Sequence, residues 1–394
     1  MKKILIVGAS ILQLPAVRKA KEMGLEVAVA DFNPHAIAIP YADHYFNCST
    51  IDPEGMLAVA RSYAPDGIMT MATDMPMRTI AYVCKMCGLP GISEECAFLC
   101  TDKIAMVQRF RDCGVPCPQF ATIRSQEELE QKAKTFAYPC ILKPSDSSGS
   151  RGVCLVNSMD EALERYAYVK APSRDGQVLM EEYMRGPEVS VETFVVDGKA
   201  HVLQITDKRT TGAPHFVETG HSQPSKLPAD VQTQIREVAQ KACASVGLIN
   251  GPAHLEMIVT QQGPKMVEMG ARLGGDCITS HLVPLSTGIS MVEQLIRQSM
   301  GLPVNLTPTL HCGSAIRFLS ASRPGVLQKI CHADLSEHSD TIREIGWFKQ
   351  IGDTVDDVHS SSDRLGYVIA QAESADAAMD SCCRACEKIK ITIK

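Results

Sequence analysis

The chain has 394 residues, 45% of them hydrophobic and 21% charged, with a formal net charge of −6. That length allows two or three domains, each with its own core, and so mild an acidity gives no reason to expect a nucleic-acid or membrane partner. Met1-Lys2-Lys3-Ile4-Leu5-Ile6-Val7 is too short for a signal peptide's apolar core, and no apolar run has the length of a membrane helix; a cytoplasmic location is expected. Sixteen cysteines raise disulfides and zinc. Cys84-Lys85-Met86-Cys87 and Cys382-Cys383-Arg384-Ala385-Cys386 lie in segments that read as helices, and no second pair completes a zinc site. They are expected to be reduced, mostly buried thiols.

Strands are predicted over 4–7, 26–30 and 66–71 and a helix over 12–23. This βαβα order implies an open parallel sheet in residues 1–93. Gly8-Ala9-Ser10 lacks the G-x-G-x-x-G fingerprint, which opposes a dinucleotide oxidoreductase; the turn could still bind an anion or substrate at a helix N-terminus. Asp31 could meet a substrate or cap a turn, with turn chemistry slightly favoured. A second unit over 94–305 starts with one helix running from Ser93 past Asp102-Lys103 to Gly114. A strand over 119–123, a capped helix start at Ser125-Gln126-Glu127-Glu128 and a strand over 138–144 follow. Residues 306–394 read as a smaller α/β unit with strands over 313–319 and 366–370 and a helix over 374–388.

Several of these segments carry chemistry. Lys143 ends a strand and precedes Pro144-Ser145-Asp146-Ser147-Ser148-Gly149-Ser150-Arg151-Gly152. The amides of such a loop can cradle phosphate and the lysine can offer a point charge; a surface hairpin is the alternative. Glu181-Glu182-Tyr183-Met184-Arg185-Gly186-Pro187-Glu188 reads as a strand that turns and re-enters another, a hinge against which a nucleotide base could lie. The segment 207–222 reads as a polar loop in which Arg209, Lys208 or His221 could meet a carboxylate, or simply be solvated. Glu256 and Glu268 are expected on adjacent strands with their carboxylates on one face. Such groups repel unless a cation sits between them, and Mg2+ typically uses one or two carboxylates plus substrate phosphates. Two unrelated surface glutamates are an equal reading of that pair alone. Arg272 follows, then Gly274-Gly275-Asp276, where an α-amino group would suit Asp276; Arg317 is a further substrate candidate. His281 reads as structural.

Together these segments resemble the ATP-grasp superfamily over nearly the whole chain. The resemblance implies an α/β ATP-grasp fold, with an N-terminal open parallel pre-ATP-grasp domain (1–93) and an ATP-grasp domain (94–305). The latter has a lid-bearing subdomain at about 115–180 and a nucleotide clamp at about 181–305, and a small C-terminal α/β subdomain spans 306–394. It implies that Lys103 and Lys143 contact ATP phosphates beneath the loop of Ser148 and Gly149. Glu181 and the backbone of Glu182 and Met184 would hold adenine, and Glu188 the ribose. Glu256 and Glu268 would hold Mg2+ (or Mn2+), and Arg272 would be catalytic beside Lys143. Many relatives carry Asn two residues after the second metal glutamate, where this chain has Gly270, so the number of metal ions stays open. The Gly-Ala-Arg-Leu-Gly-Gly run is similar to stand-alone amino-acid ligases and carbamoyl-phosphate-synthase-like proteins.

The implied activity joins a small-molecule carboxylate to an amine through an acyl phosphate, releasing ADP and phosphate. A purine-pathway ligase resembling phosphoribosylglycinamide synthetase, a carboxylase, or a non-catalytic nucleotide-binding module are the alternatives. A homodimer is the assembly considered.

Overall fold

The computed structural model describes residues 1–147, 151–213, 215–331 and 340–394. Its first strands, β1 (Lys3–Val7), β2 (Glu26–Asp31), β3 (His44–Asn47) and β4 (Gly67–Met69), form a parallel sheet in the order β3-β2-β1-β4. Ile4 and Ile6 pack with helices Leu14–Glu22 and Met291–Ser299, whereas Leu5 and Val7 pack with helices Pro53–Tyr63 and Met77–Cys87. Burial on both faces explains why these strands read as unbroken apolar runs. Asp31 accepts the amide hydrogens of Ala9 and Asn33 at 2.8 and 2.9 Å, so its role here is turn chemistry.

The helix expected from Ser93 to Gly114 is two helices, Glu94–Leu99 and Lys103–Asp112. Asp102 breaks it: its backbone is extended, and its side chain accepts the Ala105 N–H at 2.9 Å as an N-cap. Lys103 therefore opens the second helix. Next come β5 (Phe120–Ile123), β6 (Cys140–Pro144), β7 (Cys154–Val156) and β8 (Val178–Glu182), a sheet ordered β5-β8-β6-β7. Helices Gln126–Ala133 and Met159–Lys170, capped by Ser125 and Ser158, close its core.

The remaining strands are β9 (Glu188–Val196), β10 (Lys199–Thr210), β11 (Glu218–Gln223), β12 (Gly251–Thr260), β13 (Gly263–Gly270), β14 (Gly313–Leu319), β15 (Gly325–Cys331), β16 (Ile342–Trp347), β17 (Thr354–Val355), β18 (Gly366–Ala372) and β19 (Lys390–Ile393). Eight of them make one antiparallel sheet, β13-β12-β9-β10-β11-β14-β18-β16, while β17-β15-β19 form a small one. Val189, Val191, Ile205, Leu255 and Met257 lie on the back of the large sheet against helix Ala229–Ser245. Alternation then sends Glu188, Ser190, Glu192, Lys208, His254 and Glu256 to the front. All sixteen cysteines are free thiols. Among the described residues, no helix is long and apolar enough to cross a membrane.

Candidate active site

Glu256 and Glu268 are register partners across β12 and β13, as their spacing predicts. Each already faces an ammonium. Lys208 Nζ lies 2.6 Å from Glu188, 3.1 Å from Glu256 and 3.6 Å from Glu218, with its side chain 3% exposed. Lys103 pairs with Glu268. Burial works to raise the Glu256 carboxyl, but Lys208 and a hydrogen bond from His254 outweigh it and hold the group well below the usual range. Lys208 responds the other way: burial opposes its charge, yet Glu256, Glu188 and Glu218 keep it well above the ordinary lysine value. Next to this row, His254 Nδ1 is 2.7 Å from Glu192 and Nε2 is 3.4 Å from Glu256. Burial would favour a neutral imidazole, but the Glu192 carboxylate, fully buried, pushes His254 up to about 9. Glu192 Oε2 is buried without a partner.

The row opens onto a cleft of about 590 Å³ between the first domain, the helix pair at 94–112, the second sheet's loops and the large sheet. Asp74 and Met75 line it from the first domain, Lys103 and Ser147 from the middle, and His254, Glu268, Gly270 and Arg272 from the large sheet. Arg272 forks onto Asp74, Nε to Oδ1 at 2.8 Å and Nη2 to Oδ2 at 2.9 Å. Ser147 Oγ is buried without a partner at the start of the glycine–serine loop. Ser148 and Gly149, the loop residues expected to touch phosphate, lie outside the described residues. Lys143 and Glu181 are both buried and pair at 2.7 Å. Glu182 spends its amide hydrogen on Gln119 O at 2.8 Å and its carboxylate on Lys265, so that amide is not free for a base. Met184 is buried.

None of the substrate candidates Arg209, His221, Asp276 and Arg317 lines this cleft. Residues 207–210 and 218–222 are not loop but the paired ends of β10 and β11, with Lys208 opposite His221 and Arg209 opposite Gly220. Arg209 therefore points to the sheet's back, away from Lys208. Arg317 alternates with Ile316 and Phe318, which pack beneath Ile278 and Leu282, so it too faces away; its guanidinium reaches Thr219 O at 3.2 Å. His221 is 1% exposed and sits 3.3 Å from Asp276. Asp276 holds Arg364 at 2.7 and 2.9 Å, and neither residue lines the cleft. His281 pairs with Glu344 at 3.2 Å. The sequence reading passed over Asp74, Glu192 and His254. His254 was within reach of it, since two residues before Glu256 means the same face; Asp74 is 198 residues from Arg272 and carries no local signal.

Residues 136–280 match the model of the ATP-grasp domain, and residues 317–394 match L-amino acid ligase C-terminal domain 2. The chain is an ATP-dependent ligase with an ATP-grasp domain and an L-amino acid ligase C-terminal domain. An uncharacterised protein of Sinorhizobium fredii is 28% identical to this ligase over 333 residues, 82% of this chain and 68% of that one. Carnosine synthase 1 of Gallus gallus is 26% identical over 70% of this chain, which spans only 32% of its length. The L-arginine-specific L-amino acid ligase of Bacillus subtilis is 23% identical over 82% of this chain and 80% of its own. The fold is shared with an L-amino acid ligase from Bacillus licheniformis (TM-score 0.86, 20% identity, 100% and 99% covered). It is also shared with phosphoribosylglycinamide synthetase from Anaerococcus prevotii (TM-score 0.81, 23% identity, both chains fully covered).

ATP-grasp ligases use ATP with magnesium, and this ligase's donor set can be tested for fit. Among its described residues no group of three or more His, Cys, Asp or Glu side chains is placed to hold a metal. Mg2+ needs only one or two carboxylates when phosphates complete its shell. Glu256 and Glu268 supply two hard oxygen donors side by side, each facing a lysine. The residues fit the ion.

Proposed function

We propose that the chain joins an amino-acid carboxylate to an amine, with ATP converted to ADP and phosphate through an acyl phosphate. The observation that carries this is the Glu256–Glu268 pair, whose Glu268 lines one cleft with Arg272 and Lys103. Such a set can balance the charge that grows on a transferring phosphoryl group. The match to the L-amino acid ligase C-terminal domain favours an amino acid over the purine-pathway substrates of proteins that share the fold.

On this reading Glu256 and Glu268 would hold Mg2+, which when bound supplies positive charge to the phosphate oxygens; Mn2+ would suit the same donors. Lys103, released from Glu268, and Lys143, released from Glu181, would turn to phosphate oxygens. Ser148 and Gly149 would offer loop amides, and the buried Ser147 hydroxyl has a donor to spare. Glu188 would accept from ribose hydroxyls, and the strand end at Glu181 and Met184 would border the base. Arg272, forked onto the Asp74 carboxylate, has the geometry for a phosphate or an acyl phosphate. Holding carboxylate and amine together in a closed cleft would supply much of the rate and keep water from the acyl phosphate.

ADP release, followed by coupled assay with the proteinogenic amino acids alone and in pairs, tests the reading. Turnover that needs an amino acid and falls roughly 10²- to 10³-fold in Glu268→Ala is expected. Nucleotide binding without amino-acid-dependent turnover across the panel would sink it.

A further inference from the structure

Gly270 makes room for an ion pair between domains. A Cβ built there would stand 2.7 Å from Asp74 Oδ1 and 3.0 Å from the Arg272 guanidinium, so any side chain would push the two apart. Asp74 reaches this spot from the first domain, and both of its carboxylate oxygens are taken by Arg272. The other acids lining the cleft have structural partners. Glu94 pairs with Lys85, Asp102 caps its helix, Asp146 holds Arg174, Asp175 gathers Ser145 and Gln177, and Glu268 holds Lys103.

If Arg272 turns to the transferring phosphoryl group, as the proposed function requires, Asp74 loses its counter-charge while its side chain is only 28% exposed. A carboxylate left unpaired in a closed site is strongly unfavourable, so another cation must replace the guanidinium. The reacting substrate brings one: in an α-amino acid the ammonium sits one carbon from the carboxylate that is activated. Arg272 and Asp74, side by side with opposite charge, match the two ends of that zwitterion. A metal ion is the poorer candidate, because Asp74 forms no three-ligand group with the glutamates among the described residues.

We propose that Asp74 is the residue that recognises the α-ammonium of the carboxyl-donating amino acid, an inference that rests on the ligase reading above. Held by Asp74, that ammonium keeps its proton and cannot attack an acyl phosphate. The order of the two residues in the product follows.

The test compares matched acids with and without the amino group: L-alanine with propionate, L-methionine with 4-(methylthio)butanoate and L-phenylalanine with 3-phenylpropionate. ADP release gives kcat and KM, and calorimetry with Mg2+ and a non-hydrolysable ATP analogue gives binding. The wild-type protein is expected to favour the amino acids. Asp74→Asn should cost them about 10- to 100-fold in kcat/KM, mostly through KM and with a matching loss of binding, while the des-amino acids change little. Equal losses for both members of each pair would mean that Asp74 merely positions Arg272. A raised Mg2+ requirement would make it a metal ligand, and an intact preference would give it no part; each result overturns the inference. A wild-type protein that binds amino acids but releases no ADP would instead remove the ligase reading and leave the binding comparison to judge Asp74.

Discussion

His254 stands between two acids on the front of the large sheet, 2.7 Å from one and 3.4 Å from the other, and is pushed up to about 9 from an ordinary 6.5. A group whose value is raised by folding stabilises fully below its unfolded value, and loses that contribution as pH climbs through its folded value. The window here is about 6.5 to 9, and the contribution is at most roughly 3 kcal/mol. The nucleotide-free, metal-free protein should therefore lose thermal stability across that range. In a paired His254→Gln, Glu192→Gln chain, where neither charge is left alone, this fall should flatten. Melting curves from pH 6 to 9.5 check it, and parallel slopes for the two proteins would refute it. The contrast with Glu256 and Glu268 shows what a sequence can carry. Those two were legible because a short hairpin fixes their register locally. Glu192 lies 62 residues from His254, and its complete burial follows only from the packing of β9 between β10 and β12.

At the level of elements, the join between β8 and β9 sets where the clamp meets the second sheet. Gly186 adopts φ +151° there, and a Cβ on it would lie 1.9 Å from Val259 O, a backbone atom that cannot step aside. Gly186→Ala should cost about 2–3 kcal/mol, read as a shift in the urea midpoint with an unchanged slope; a shift near zero would show that the join has slack. Most strands were legible from apolar runs. The β10–β11 hairpin was not, for a physical reason. Its front face carries Lys208 and His221 for the charged row while its back carries exposed Arg209, so the apolar alternation that marks a strand is missing. The break in the 93–114 helix was missed for the opposite reason: helical residues flank it on both sides, and a single capping aspartate makes the corner.

Across the whole molecule, one antiparallel sheet runs from the charged row to the C-terminal segment, because β14 pairs with β11. The Asp276–Arg364 fork ties the two ends, with the Arg364 guanidinium 3.8 Å from the centre of the Phe318 ring. Burial works against the Asp276 charge, but Arg364 and His221 hold the carboxyl far below the usual range. Arg364→Ala should therefore destabilise by roughly 3–5 kcal/mol, since it strands a mostly buried carboxylate. Thermal unfolding followed through Trp347, the single tryptophan, on the edge strand β16, would report it directly. An unchanged midpoint would mean that strand pairing alone joins the two ends.

Lys103 and Lys208 give the paired glutamates a consequence of their own. With Lys103 on Glu268 and Lys208 shared by Glu188, Glu218 and Glu256, the protein carries part of its own counter-charge, and a divalent cation must displace an ammonium to reach either paired glutamate. On the proposed reading, a cation is worth admitting only when nucleotide phosphates arrive to receive the displaced ammonium groups. The site is then an ion exchanger keyed to nucleotide, and metal and nucleotide load together rather than in turn.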